Sequence, residues 1–469
     1  MSIFLLSVAL LIVGYLTYGV LVEKIFGIDT KRKTPATLFA DGVDYVPLPT
    51  WRVFLIQFLN IAGLGPVFGA ILGALYGPVC LFWIVLGSIF AGGVHDYLSG
   101  MLSMKYDGRT LSYFVNIFMG RKFGAAFLIL LILLLLLIGS IFAQTPAHML
   151  SDMSGMNFIS WLLIIFGYYF LATLLPIDKI VGKFYPLFAA CLIASTVLLL
   201  GALFINGYDF YPDLHTLHQH PKNLPIFPLM FITIACGALS GFHATQSPMM
   251  ARCLTSERYG RPIFYGAMIL EGFVALVWAT LGIAFYHGTG GLGEALGASG
   301  NAGKVISEMS YGFLGKWGQI LTVTSIILLT ITSGDTALRS ARLSCADFFK
   351  INQKNIVNRL VLSALILSAA TAMAFIDLSK IWLYFGWVNQ ILATIMLWIG
   401  AAYLRHKKHN YLMALLPAIF MTSVVGTYLG YSNILLGQPI EISRYIGVAI
   451  AIIATGIFFY SGKSKKSEN

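Results

Sequence analysis

Charge is what this chain has least of. Lys, Arg, Asp and Glu together make 10% of its 469 residues, against roughly 25% in a soluble domain. So few charges cannot coat a soluble fold of this size, and with 58% hydrophobic residues and a mean hydropathy of +0.82 most of the chain is expected to sit in lipid. Paired cysteines are missing as well. Cys80, Cys191, Cys236, Cys253 and Cys345 lie in or beside apolar runs without a CxxC spacing, which argues against zinc sites and disulfides and for buried thiols. Catalytic signatures are also absent, so an enzyme is not expected and no cofactor is implied. There is no HExxH, Ser240 and His243 fall in GALSGFH rather than a GxSxG elbow, and Gly462-Lys463-Ser464 has its upstream Gly456 one residue too far away for a phosphate loop. The net charge of +11 would suggest nucleic acid in a soluble protein; in lipid its placement matters more, and no nucleic-acid partner is expected.

Long apolar runs are what the chain has in abundance. A span needs about 20 apolar residues to cross a hydrocarbon core about 30 Å thick. Thirteen stretches qualify, at approximately 2–22, 51–76, 79–103, 122–143, 158–176, 185–206, 227–251, 262–286, 317–343, 357–376, 381–404, 411–431 and 443–461. No small-x-small cleavage site follows the first, so it is read as a retained span. Alternate connections hold 25 of the 30 basic residues, and the other side holds only Lys222, Lys304, Lys316, Lys380 and Arg444. By the positive-inside rule the N-terminus is expected outside and the C-terminus in the cytoplasm, in a bacterial inner membrane. The longest cytoplasmic connection is 23–50, the longest external ones are 207–226 and 287–316, and none is large enough for a separate soluble domain. Gly288 to Gly303 reads as a flexible loop or a short gate.

Two of the stretches are interrupted. In 51–76 the sequence Gly63-Leu64-Gly65-Pro66 removes a backbone donor and supplies permissive torsions about 18 Å in; in 227–251, Gly237, Ser240 and Gly241 do the same from about 15 Å in. The two run in opposite directions, each heading a set of five spans. The expected architecture is therefore an all-α, LeuT-like five-plus-five inverted repeat. Its parts are an N-terminal extra helix and loop (1–50), a first repeat (51–206), a second repeat (227–404), and two further helices with a basic tail (405–469). Each break turns the free N–H groups of a second half-helix toward the midplane, where an anion would be held, with Pro66 in one first turn and Ser240 capping the other. The carbonyls around Ala62, Gly63, Ala235 and Cys236 could coordinate a cation. Glycine clusters of this kind also serve plain helix packing.

The segments DGVDYVP (Asp41–Pro47), IAGLGPVFG (Ile61–Gly69), GGVHDY (Gly92–Tyr97), SMKYDGRTL (Ser103–Leu111) and FITIACGALSGFHATQSP (Phe231–Pro248) resemble the carbon starvation protein A family of bacterial transporters, as do SGDTALRSAR (Ser333–Arg342) and FGWVNQILA (Phe385–Ala393). The resemblance runs from residue 41 to about 404, although the longest relatives carry extra C-terminal segments. It implies peptide uptake during nutrient limitation, with some relatives tied to pyruvate. It also implies membership of the wider amino-acid, polyamine and organocation transporter group with its five-plus-five fold.

Ionisable groups inside a membrane are costly and so stand out as candidates. Glu271, about 14 Å from its cytoplasmic end, is the deepest carboxylate and reads as a proton relay or a structural hydrogen bond. His95-Asp96 and Asp335 with Arg339 are expected near the cytoplasmic mouth. There Asp335 and Arg339 would form an i, i+4 pair and Asp96 would pair with interfacial bases, or all would belong to an inward gate. His243, just past the second break, reads as a carboxylate binder, a titrating group or a packing histidine. Asn389 and Gln390 offer uncharged donors and acceptors at cavity depth. Thr332 and Ser333 with the Ala62 carbonyl could form a sodium site, as in sodium-coupled relatives of this fold, or bond their own helix. His215, His218 and His220 have metal-like density but read better as a hydrated loop. A channel would show a repeated filter or ring of charge and a sensor an appended domain; neither is visible, so the expected function is ion-coupled secondary transport of a peptide or pyruvate-like carboxylate, driven by a proton or by sodium. No oligomeric state is implied.

Overall fold

The computed structural model describes residues 1–174, 181–210, 220–299, 302–353, 355–376 and 378–464, and among them the regular elements are helical, without a strand. The major helices are α1 (Ser2–Phe26), α2a (Thr50–Ile61) and α2b (Gly65–Ala74), α3 (Val79–Lys105), α4 (Arg121–Ser154), α5 (Phe158–Leu174) and α6 (Val181–Ile205). They continue as α7a (Ile226–Thr233) and α7b (His243–Ala251), α8 (Glu257–Phe285), α9 (Thr289–Ser299), α10 (Ala302–Phe349), α11 (Ile356–Met373), α12 (Leu378–His406), α13 (Leu412–Tyr431) and α14 (Ile440–Ser464). Among the described residues ten helices are long and apolar enough to cross a membrane, or eleven when α2a and α2b count as one span bent by 56°. The two remaining expected stretches fall short individually: α5 has 17 residues, and 227–251 is divided between α7a and α7b. The expected loop after Gly288 is corrected: Thr289–Ser299 is helical, and α10 begins at Ala302 and bends at Gly315.

The molecule is polar inside and apolar outside, as a low-dielectric solvent demands. Ile129, Leu163 and Ile205 stand exposed, whereas Gln57, Asn60, His95, Asp96, His243, Glu271, Asp335, Asn389 and Gln390 are fully buried. In lipid a helix keeps its backbone bonds to itself, so each break must be met by protein. Pro66 opens α2b in the first turn, as expected, and the Gly63 amide folds back on the Ile61 carbonyl at 2.8 Å. In the second break Gly237 takes φ +92°, which favours glycine. The two breaks touch: a Cβ on Gly65 would overlap the Cys236 side chain, and one on Gly73 would strike Ile234.

One face gathers the basic connections. Arg32 donates to the Lys105 carbonyl at 2.6 Å and Lys105 to that of Gly27 at 3.0 Å. The connection 27–49 is folded onto the helix ends there. Asp41 Oδ1 accepts the amides of Val43, Asp44 and Tyr45, and Asp44 then meets Arg342 at 3.3 Å and Arg339 at 3.7 Å. Arg252, beyond α7b, stacks on Tyr45 and bonds the Gly108 carbonyl at 2.8 Å. Burial pushes the Asp44 carboxyl up, but Arg342, Arg339 and Arg252 outweigh it and hold the group below the usual carboxylate range.

Because the folded-state group is the more acidic, its stabilisation is present above the ordinary carboxylate range and is lost as pH falls below that range and through the lowered folded-state value. Asp44→Asn removes the carboxylate that the buried Arg339 and Arg342 share and should lower stability by roughly 3–5 kcal/mol. Thermal unfolding of the detergent-solubilised protein at neutral and acidic pH checks both; a variant as stable as the wild type at neutral pH would contradict the clamp.

Candidate functional site

The second break lies against glycines of α3. A Cβ on Gly87 would stand 2.8 Å from that of Ala238, and one on Gly92 would meet the Ala238 carbonyl. Gly87–Gly92 is a π-helical stretch, a local widening common where a helix serves a site. From it Ser88 donates to the Gly237 carbonyl at 3.0 Å.

Just beyond lies a line of four fully buried ionisable groups. His95 Nδ1 meets Asp96 Oδ1 at 2.7 Å, Asp96 Oδ2 meets His243 Nδ1 at 2.9 Å, and His243 Nε2 faces Glu271 Oε2 at 3.4 Å. Glu271 Oε1 accepts the Gly237 amide at 3.1 Å. The last ion pair is close enough for charge attraction but not aligned as a hydrogen bond, leaving His243 Nε2 and Glu271 Oε2 without a hydrogen-bond partner. Both ring nitrogens of His243 face a carboxylate, an arrangement in which only the imidazolium donates in both directions. The expectation for Asp96 is thereby corrected. It pairs with two histidines beside the break, not with interfacial bases.

Asn389 and Gln390 lie at the second break, and both are turned on the unwound backbone. Asn389 Oδ1 accepts the Phe242 amide at 2.8 Å, and its Nδ2 donates to Ser240 Oγ at 3.1 Å. Gln390 Nε2 donates to the Leu239 carbonyl at 3.1 Å. The cap of α7b is therefore Asn389 and not Ser240, whose hydroxyl also takes the Cys236 thiol at 3.3 Å. A Cβ on Gly241 would overlap the Asn389 carbonyl, which fixes α12 against the break.

The remaining candidates separate. Ser333 faces the first break, donating to the Leu59 carbonyl at 3.3 Å and lying near Gly63, while Thr332 bonds the carbonyls of Leu328 and Leu329 in its own helix. Of the imagined sodium ligands, then, Ser333 is the one turned toward the Ala62–Gly63 turn. Asp335 is fully buried and accepts the Tyr185 hydroxyl at 2.8 Å, whereas Arg339 reaches Asp44 and the Ala172 carbonyl. His220 packs against Tyr76 with the rings tilted at 57°; His215 and His218 lie outside the described residues. Donor atoms of Cys236, His243 and Glu271 fall within 4.8 Å of one another, close enough for a metal ion, although Cys236 and Glu271 already have partners in Ser240 and Gly237. Sequence reasoning missed Asn60, fully buried with neither side-chain atom bonded, and Gln57, whose Oε1 is unpaired. Their signal was there to read: two polar residues in an apolar run just before Gly63.

The profile of the carbon starvation protein CstA family matches residues 1–158, 143–289 and 287–427. The chain belongs to this family. It is 43% identical over 348 residues to an uncharacterized membrane protein of Haemophilus influenzae, covering 63% of this chain and 94% of that one. The peptide transporter CstA of Escherichia coli is 28% identical across 58% of this chain and 48% of its own length, so the present chain spans about half of that relative. The pyruvate/proton symporter BtsT of the same organism is 29% identical, across 58% and 47%. Two solved structures share the fold: MhsT in complex with L-phenylalanine (TM-score 0.56, 12% identity, 87% of this chain and 98% of that one) and a manganese transporter of Eremococcus coleocola (TM-score 0.54, 14% identity, 90% and 97%). This CstA-family chain is therefore an all-helical membrane protein with the LeuT fold, as expected.

Gly65→Leu or Gly241→Leu should leave membrane insertion intact, since leucine is welcome in lipid, yet drive a side chain into the second break from Gly65 or into α12 from Gly241 and weaken substrate binding more than about tenfold, the equivalent of 1–3 kcal/mol of overpacking. Yield in the membrane fraction together with ligand binding to the purified variants tests this. Wild-type affinity in both would show that the tight approach of the breaks is dispensable.

Proposed function

We propose that the chain is a proton-coupled secondary transporter that brings a small carboxylate, pyruvate or a short peptide, across the inner membrane by alternating access. The observation that carries this reading is the buried line His95–Asp96–His243–Glu271, which ends on a backbone amide of a broken helix. Such a line can hold and pass a proton within hydrogen-bond or ion-pair reach, and its last link is also where an anionic substrate would find backbone donors. The names of the relatives support it, since a pyruvate/proton symporter and peptide transporters both handle carboxylates. The 25 to 5 division of basic residues supports an external N-terminus and a cytoplasmic C-terminus. On this reading 51–206 and 227–404 are the two repeats that rock about the breaks, the Asp44 clamp closes the cytoplasmic side, and expression rises when carbon is scarce. Sodium coupling rests on Ser333 and the first-break carbonyls alone, a poorer oxygen set than such an ion demands.

Proteoliposomes carrying the purified chain test the proposal. An inward proton gradient should drive accumulation of pyruvate or dialanine, a protonophore should abolish it, and preloaded substrate should drive counterflow, which a channel does not support. Glu271→Gln should reduce gradient-driven accumulation by at least about tenfold and spare exchange. Accumulation that follows a sodium gradient and ignores pH would overturn the proton reading.

A further inference from the structure

We propose that Glu271 is the site's own resident anion: its carboxylate occupies the Gly237 amide that the substrate carboxylate takes, and substrate binding displaces it with uptake of one proton. This deepens the proton-coupled carboxylate reading above and rests on it.

The Gly237 amide is unusual among backbone donors in a membrane. It lies outside any helix, in a residue with φ +92°, and its partner is the Glu271 side chain at 3.1 Å. The geometry is fixed from the neighbouring side as well, because Ser88 holds the carbonyl of the same residue at 3.0 Å and a Cβ on Gly272 would run into the Ser88 hydroxyl. The donor is thus held in place, and a carboxylate already sits on it. The other Glu271 oxygen and His243 Nε2, both completely buried, lack hydrogen-bond partners and face each other at 3.4 Å. These open valences border the same few ångströms.

Charge then decides what happens when a second carboxylate arrives. His243 and Asp96 are the charged groups whose field reaches Glu271, with the Cys236 thiol nearby. His243 is the one imidazole that faces both carboxylates there, His95 touching Asp96 alone. A substrate anion would make three, and like charges brought together out of water force one group to take a proton. Asp96 is held by two histidines at 2.7 and 2.9 Å, whereas Glu271 is held by one amide, the one the substrate needs. Glu271 is therefore the group that yields. The Gly237 N–H···O bond passes from Glu271 Oε1 to a substrate oxygen, and the released carboxylate takes one proton from hydronium in the bulk solution on the side of entry, whose O–H bond breaks to leave water as the carboxyl O–H forms. No covalent bond other than that O–H is made, and the charge of the site is the same before and after. Return of Glu271 to the amide expels substrate and proton together.

The test uses the full purified chain in detergent with pyruvate and dialanine as probes. Titration calorimetry in buffers of different ionisation enthalpy should give about one proton taken up per bound substrate, with affinity falling about tenfold per pH unit in the range where Glu271 is ionised. Glu271→Gln, monodisperse by size exclusion, should bind substrate without proton uptake and with affinity independent of pH in that range. Glu271→Asp keeps the charge but falls about 1.5 Å short of the amide, and should bind more tightly than wild type at the same pH. Infrared difference spectra of the wild type should show a protonated-carboxyl band appearing on substrate addition, which serves even where a variant does not fold. Undiminished proton uptake in folded Glu271→Gln, loss of its binding, or absence of the infrared band would overturn displacement by Glu271. A wild type that accumulates substrate without regard to the proton gradient would overturn the transport reading itself, a distinct outcome.

Discussion

Inside lipid every backbone amide and carbonyl must find its partner within the protein, and the rest of this structure follows from that requirement. An unbroken helix meets it automatically. A broken one cannot, and both breaks here are served by polar groups from other helices. Glu271 takes the Gly237 amide, Asn389 the Phe242 amide, Gln390 the Leu239 carbonyl and Ser88 the Gly237 carbonyl. The buried polar residues of α3, α8 and α12 are thus first of all the replacement for a missing turn of helix. What makes them more than structural is that some of their capacity is left over: at Asn60, His243 and Glu271 buried polar atoms have no bonded partner.

Close approach of backbones makes this arrangement possible. Gly65, Gly87, Gly92 and Gly241 each stand where a side chain would collide with another helix, and together they bring α2b, α3 and α12 onto the unwound segment. Such contacts exclude water, and without water a pair such as His243 and Glu271 interacts more strongly than it would at a surface. A site assembled in this way is necessarily narrow, and under the proposed function it would select for what a backbone can recognise, the carboxylate common to pyruvate and to a peptide terminus.

Much of this was legible in the chain itself. Hydrophobic length marked the spans, Gly63–Pro66 and Gly237–Gly241 marked the breaks, and Glu271 stood out as a carboxylate with no business in an apolar run. Counting residues along a helix also put Asn389 and Gln390 at the right depth. It failed for Asp96. Linear reasoning sees partners within about four positions; it brings His95 beside Asp96, but the second partner, His243, is 147 residues away on α7b. For Arg339 it found half of the answer: Asp335 lies within its field, while Asp44 comes from a connection that the pattern could describe only as polar. Ser240 lost its cap role to Asn389 because a cap supplied from another helix leaves no local spacing to read. The helix Thr289–Ser299 was hidden by its glycines, which lower intrinsic propensity without forbidding a helix.

The loop around Asp44 gives the molecule a default posture. Three arginines, one just past α7b and two on α10, converge on the connection that carries Asp44 and Tyr45, and under the proposed function this clamp would hold that face closed with groups away from the central site. For a carrier that alternates between two postures, every 1.4 kcal/mol placed in or removed from such a latch changes the ratio of postures about tenfold. Apparent affinity at the central site then scales with the fraction of molecules waiting in the receptive form. In a carrier of this kind, affinity can be tuned by substitutions in a hydrophilic loop while the residues around the two breaks stay untouched.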